Sequence, residues 1–432
     1  MKKTAQGFVV ALVLSAVWVL QAETLVWTGG AGNSEWSDTL NWSPEKKPAS
    51  GDRVVFNPGQ GQSLYVHVTI PGGNVQIGDI EVQSGSVYFS GATIYLYGSS
   101  LEHEIRVHEG AKLSVTNEFA AWTADRQHSI HKRGLGVYEM CMHLGLNAKA
   151  LHVEEGKFNH PIKASGGVFQ CDVDIYDGAE LYLSGYNAFN SGNRRIVNVH
   201  KGGLFRLNGG DGQNYFTSIV GEGEVRADSK SPIYMNLPAD RGPYVFSGKY
   251  STSHVHLIFE KPEEGEYVIA STNALASIGS IKGISALRFG SQLDAPVKIS
   301  KVSSSGTLTL CDTNGAPVDV ETTMFGSDYR MLNTIGGGDL TLLSSAYFTN
   351  SVFASTGKLI AASGSTVYMG NNTEEGDCDF RAVSEISGKG SFIFKNHGST
   401  AFPMPISVAA NVEVYGGGGV FSELNLNDVA QF

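Results

Sequence analysis

Short runs of alternating apolar and polar residues recur along this chain, many of them closed by a polar residue followed by glycine. Gly85, Gly110, Gly156, Gly178, Gly202 and Gly223 close such runs, at separations of 25, 46, 22, 24 and 21 residues. The 46-residue interval is twice 23. Five and three residues before the glycines stand Ile80 and Val82, Ile105 and Val107, Leu151 and Val153, Val173 and Ile175, Val197 and Val199, and more weakly Ser218 and Val220. Alternation resumes after the glycine, as in Leu113 and Val115, Leu181 and Leu183, Phe205 and Leu207. A period of two places one set of side chains on a buried face. The polar-Gly pair turns the corner, because glycine accepts positive φ without a Cβ clash. A repeat near 23 residues holds two or three short strands with their corners, one coil of a solenoid in which each coil pairs with its neighbours. The pattern therefore predicts an all-β right-handed parallel β-helix (β-solenoid). A β-sandwich array is the alternative, since short strands between turns also describe that fold. No six-residue apolar-Gly cycle is present, which disfavours a left-handed hexapeptide helix.

The repeat skips once, between Gly110 and Gly156. Residues 117–146 in that gap carry Asp125, Arg126, His128, His131, Lys132 and Arg133, and are expected to be a loop inserted on one coil. The solenoid is expected over 61–260. After Gly223 the register blurs, so 261–432 is read as a β-rich continuation of the solenoid or a second β domain.

The first residues bear on location. Lys2 and Lys3 precede an apolar run from Phe8 to Leu20, and small Ala22 follows. That order is the pattern of a secretory signal peptide, here 1–22, with a mature chain starting at Glu23. The run is too short for a membrane span, and no later window is long and apolar enough for one. Without Lys2 and Lys3 the chain has 29 basic against 42 acidic residues, a net charge of −13. Such a balance argues against a nucleic-acid partner, which needs clustered Lys and Arg. A secreted or cell-surface location, associated with the outer membrane, is expected. Cys141, Cys171, Cys311 and Cys378 form no C-x-x-C pair, and no connectivity is assigned.

The start of the mature chain reads Leu25-Val-Trp-Thr-Gly-Gly, then Asn33, Trp36-Ser37, Asn41-Trp42, Pro48 and Gly51-Asp52-Arg-Val-Val-Phe56. This resembles the N-terminal unit of Gram-negative surface or secreted proteins with autotransporter-associated β-strand repeats. In that family a W-x-G-G…W…N-W…P…G-D-x-V-x-F stretch precedes a Gly-rich β-helix passenger. Ile386-Ser-Gly-Lys-Gly-Ser-Phe-Ile-Phe394 and Glu264-Gly-Glu-Tyr-Val-Ile-Ala270 resemble its strand repeats and strand-opening turns. The segment from Gly416 to Phe432 does not supply the many amphipathic strands of a membrane barrel, so transport by a barrel of its own is not expected. Trp27, Trp36 and Trp42 are read as a cap over the first coil, spanning 23–60, in preference to a sugar-stacking platform.

If the positions five and three before each glycine face inward, those four and two before it face outward. Stacking the coils then draws two outer columns: Glu81, Arg106, His152, Asp174, Asn198 and Gln83, His108, Glu154, Tyr176, His200. With coils about 4.8 Å apart these side chains would form a polar stripe. His152, Glu154, Asp174, Tyr176, Asn198 and His200 are the candidate ligand-binding residues. No catalytic residue and no metal ligand is assigned, and no cofactor is expected. Calcium at Asp172 and Asp174, a metal on the His254-Val-His256 pair, and a calcium-type turn at Asn208-Gly-Gly-Asp-Gly212 are weaker readings. The composite expectation is an exported β-solenoid with a structural or adhesive role. Its partner would be a polysaccharide or another cell-surface component. The alternative is a polysaccharide-active β-helix enzyme, a lyase or glycoside hydrolase, or a glycan-binding module.

Overall fold

The computed structural model describes residues 22–426 apart from 69–73, 117–118, 122–126, 142–145, 162–167, 185–187, 190, 193, 209–212, 292, 294, 325–329, 372, 398–399 and 416–418. The leader and the Asn208–Gly212 turn thus lie wholly or mostly outside the described residues. The chain forms a β-solenoid of about 14 turns. A 13-stranded sheet runs from the N-terminal strand Thr24–Trp27 to Leu287–Phe289. A nine-stranded sheet runs from Ser63–Val68 to Lys249–Tyr250, and an 11-stranded sheet from Asn214–Phe216 to Gly419–Leu426. Between named strands, every pairing is parallel except that of Thr24–Trp27 with Trp42–Ser43. A sandwich would instead pair its strands antiparallel, so the stacked parallel ladders exclude that alternative.

Alternation does what the sequence pattern requires. Val173 and Ile175 are buried while Asp174 between them is half-buried on the outer side. Inward residues stack coil upon coil, as in Leu151, Val173 and Val197, or Phe169, Phe189 and Phe216 with ring centroids 4.9 and 4.7 Å apart. Each fully buried aliphatic or aromatic side chain of this kind contributes about 1.5–3 kcal/mol relative to exposure.

The 117–146 span departs from the loop expected there. It contains the strands Ser129–Arg133 and Val137–Met140, which continue the 13- and nine-stranded sheets. Their corner is turned at Gly134, with φ +75°. The coil was hidden because polar residues stand among its inward positions. Lys132 stands in line with Ile105 and Val153, buried, its ammonium donating to the carbonyls of Gly134 and Glu155. His103, in line with Ile130, is also buried; its Nδ1 lies 2.9 Å from the Gly78 carbonyl and its Nε2 2.7 Å from His128 Nδ1.

This coil also shifts the register. Ile105 aligns through Lys132 with Val153, whereas counting from the glycines aligns it with Leu151. Corner length varies from coil to coil, so glycine spacing alone cannot carry phase. The same effect appears at Gly221, which sits opposite Val199 with φ +104° and makes Ile219, not Ser218, the partner of buried Val197. Gly110, Gly178 and Gly202 each stand two residues before the mutually stacked Lys112, Glu180 and Leu204 columns of the nine-stranded sheet, all with positive φ.

The nine-stranded sheet stops at Lys249–Tyr250, and the blurred register of the second half begins there. Tyr250 and Tyr267 point inward and are buried; their hydroxyls lie 2.7 Å apart, and that of Tyr267 donates to the Ile219 carbonyl at 2.7 Å. The 11-stranded ladder carries the solenoid onward from that point.

At the N-terminal end Trp27, Trp36 and Trp42 pack against Phe56, with Trp27–Trp42 and Trp36–Trp42 centroids 5.0 and 4.9 Å apart. All three indoles are buried, so their faces meet one another and the first coil instead of solvent. Buried Asn41 ties the segment down, donating to Asn33 and the Glu35 carbonyl and accepting from the Ala31 amide. Asp52, also buried, accepts from the amides of Glu23 and Ala49. These contacts give a physical reason for the Asn-Trp and Gly-Asp pairs of the N-terminal pattern.

Candidate functional site

Strands of the 13-stranded sheet carry the candidate residues on their outer face. In the observed register, one column runs Glu104, His131, His152, Asp174, Asn198. A second begins Glu81, Arg106, Arg133. The columns drawn from glycine counting are therefore corrected: Arg106 is not in line with His152, because the hidden coil intervenes with an offset of two residues. From His152 onward the drawn order holds.

Asp174 is the hub of the upper part. Its carboxylate accepts from Asn198 Nδ2 at 2.9 Å and from His200 Nε2 at 3.1 Å, and lies 3.3 Å from His152 Nδ1. Burial opposes ionisation of Asp174, but the hydrogen bonds from His152, Asn198 and His200 outweigh it and hold the carboxyl below its ordinary range. Ionised Asp174 can only accept, so both imidazoles present an N–H to it. The Tyr176 hydroxyl lies 3.3 Å from His152 Nδ1, and the Tyr176 ring stacks on His200 at 4.4 Å with 9° between planes. Burial first, then the negative charges of Asp174 and Glu154, raise the Tyr176 phenol above its usual range.

Glu154 belongs to the coil below. It pairs with His131 Nδ1 at 2.6 Å and with the Arg133 guanidinium, and these contacts overcome its burial to lower its carboxyl. His131 also reaches Glu102 at 2.8 Å and stacks on His152 at 4.7 Å, which joins the two clusters. Further down, Glu81 accepts from Arg53 at 2.7 Å and from His108 at 2.8 Å. The structure thus brings His152, Asp174, Tyr176, Asn198 and His200 together, sets Glu154 on the coil of His152, one below Asp174, and adds His131, Arg133 and Glu102. His131 and Arg133 were missed because the polar content of 117–146 led that segment to be read as a loop; Glu102 opens the strand Glu102–Val107, ahead of the positions counted from Gly110. The apolar Ile130 beside outward His131 was a signal of a strand there.

The weaker readings sit as follows. Asp172 is exposed and accepts from the Ile196 amide. His254 and His256 share an outer face and face the Ala227 carbonyl at 3.3 Å and the Ser280 hydroxyl at 2.8 Å. Among the described residues no group of three or more His, Cys, Asp or Glu is placed to hold a metal ion. Their four cysteines are free, and burial raises the thiols of Cys141 and Cys378. No helix among these residues is long and apolar enough to cross a membrane. A groove of about 660 Å³ runs along the corner at Gly203, Gly223, Glu224, Gly248 and Lys249, and no stripe residue lines it. No family model, curated protein or solved structure matches this chain.

Proposed function

We propose that this chain is an exported β-solenoid with a structural or adhesive role, and that the stripe from His131 to His200 binds an extended surface polysaccharide. The observation that carries the binding reading is the geometry of the stripe, in which Glu154 accepts from His131 and Arg133 and Asp174 from Asn198 and His200. Glu81, Glu102, Glu154 and Asp174 are each held below their ordinary range by neighbouring donors. A general acid for glycosidic cleavage needs the opposite shift. Carboxylates locked by His, Arg and Asn instead make a rigid row of polar groups at the coil spacing, suited to hydrogen-bonding a repeating polymer. The row should be tested by replacing Asp174, Tyr176 and His200 together with alanine. All three are outside the core, so the melting temperature should move by only a few degrees, while retention on immobilised polysaccharide should disappear. Unchanged retention would remove the stripe from the function.

Export is supported by the basic and apolar leader and by the resemblance of the Trp-rich segment to autotransporter-associated repeat proteins. The first strand starts at Thr24, just beyond the expected cut after exposed Ala22. Cleavage there would turn the Glu23 amide into an ammonium 2.9 Å from Asp52, a stronger charge-assisted contact. Mass spectrometry of extracellular material should give Glu23 as the first residue. Extracellular protein with Met1 intact would refute the export signal.

A further inference from the structure

A second polar recess lies far along the solenoid from the histidine-rich stripe and does not rest on that reading. It has a volume of about 550 Å³ and is lined by Met331, Thr349, Asn350, Asn371, Thr373, Glu375 and Gly376. Phe348 pairs with Met369 at the ends of their strands, and Asn350 and Asn371 each stand two residues beyond that pair, in the turns that follow. Arg330 bridges to Phe348 in the same way, which sets Met331 beside Thr349.

The recess is held in shape from within. Asn350 has φ +47°, the one positive value on a non-glycine residue among those described. That left-handed conformation is tolerated by asparagine and directs its amide N–H to the Gly376 carbonyl at 3.2 Å. The Thr349 hydroxyl donates to the same carbonyl at 3.2 Å. Asn371 Oδ1 accepts from the Thr373 amide at 3.2 Å and the Thr373 hydroxyl at 2.6 Å. Because an amide N–H can only donate, the oxygen of Asn371 must face Thr373, which leaves its NH₂ group turned the other way. Gly376 makes room for this: a Cβ there would lie 1.8 Å from Asn371 Oδ1.

The chemistry of the wall selects the ligand. Among the described residues no Lys, Arg or His lines the recess, so none of them neutralises an anion, and Glu375 is the one carboxylate among them, too few ligands for a divalent cation. Two side-chain amides, two threonines and one carboxylate supply donors and acceptors together, beside the exposed apolar thioether of Met331. A pyranose needs that combination, since each hydroxyl both donates and accepts while its C–H face is apolar. We propose that this recess binds one unit of a neutral saccharide, with Asn371 Nδ2 and Glu375 hydrogen-bonding its hydroxyls and Met331 against its C–H face.

The test is isothermal titration of the full chain with maltohexaose, cellohexaose, laminarihexaose, xylohexaose and mannohexaose. At least one should bind. Asn371→Ala, an exposed change that leaves the coil intact, should weaken that binding about tenfold, the effect of one or two lost hydrogen bonds. Gly376→Ala should weaken it similarly by displacing Asn371; if that variant unfolds, Asn371→Ala alone decides. In the Asp174, Tyr176 and His200 triple variant, the component of hexaose binding that Asn371→Ala removes should persist. The proposal is overturned if no hexaose binds up to its solubility, or if Asn371→Ala binds as tightly as the parent. It is equally overturned if the stripe variant, and not Asn371→Ala, loses the hexaose. Loss of polysaccharide retention in the stripe variant is read separately, so either site can fail without the other.

Discussion

Gly248→Ala should destabilise the protein by about 3–5 kcal/mol, among the largest losses a single methyl group can cause. A Cβ at Gly248 would lie 1.9 Å from the Gly223 carbonyl oxygen and 2.9 Å from the Glu222 carbonyl carbon. These are backbone atoms of the preceding coil. They cannot retreat without breaking the ladder that pairs Glu224 with Lys249 and Val225 with Tyr250. Gly110→Ala is the matched control. Its φ is +74°, but a Cβ there would meet nothing within 4 Å. It should cost only the left-handed penalty of about 1–2 kcal/mol. Urea midpoints of the two variants decide the matter. Equal losses would show that coil-to-coil contact at the corner is not the constraint.

Lys132→Met should stabilise the protein at neutral pH and flatten its alkaline pH dependence. Burial dominates at this residue and pulls the ammonium down from 10.5 to about 8, with only Glu155 opposing. Between those values the unfolded chain binds more protons than the folded one. Stability of the parent should therefore rise as pH increases from about 8 to 10.5, by on the order of 3 kcal/mol at 1.36 kcal/mol per unit. Methionine has similar length and no charge to desolvate, so that penalty disappears. Part of the gain is offset, because the Gly134 and Glu155 carbonyls lose their donor. The net effect at neutral pH should be about 1–3 kcal/mol in favour of the variant. A variant that keeps the parent's rise in stability above pH 8 would show that Lys132 is not its source.

These two residues also mark where the sequence was legible and where it was not. Gly248 lies beyond the last glycine of the visible repeat, and the buried Tyr244 and Phe246 stand four and two residues before it, not five and three. Lys132 occupies a place the alternating pattern reserves for an apolar side chain. A reading based on polarity can only exclude such a coil, because two backbone carbonyls from neighbouring corners supply the solvation that water would otherwise provide. His103 and His128 escape the pattern for the same reason, each satisfying the other across coils. The outer cluster was partly legible. Asp174, Tyr176, Asn198 and His200 come from consecutive coils of equal corner length, so counting placed them correctly. Glu154 and Arg106 lie on either side of a change in corner length, and counting misplaced their neighbours.

By itself, the sequence determined the strand period, the corner glycines and the coil length, because these depend on local geometry: side chains alternate about an extended backbone, and glycine alone turns without a Cβ. It thereby favoured a parallel solenoid over a sandwich array, which the parallel ladders then excluded. Only the tertiary structure decided which residues of successive coils face one another, since phase accumulates through corners whose lengths differ by one or two residues. That phase makes His131 a partner of Glu154, sets Met331 beside Thr349, and lets a lysine stand in the core.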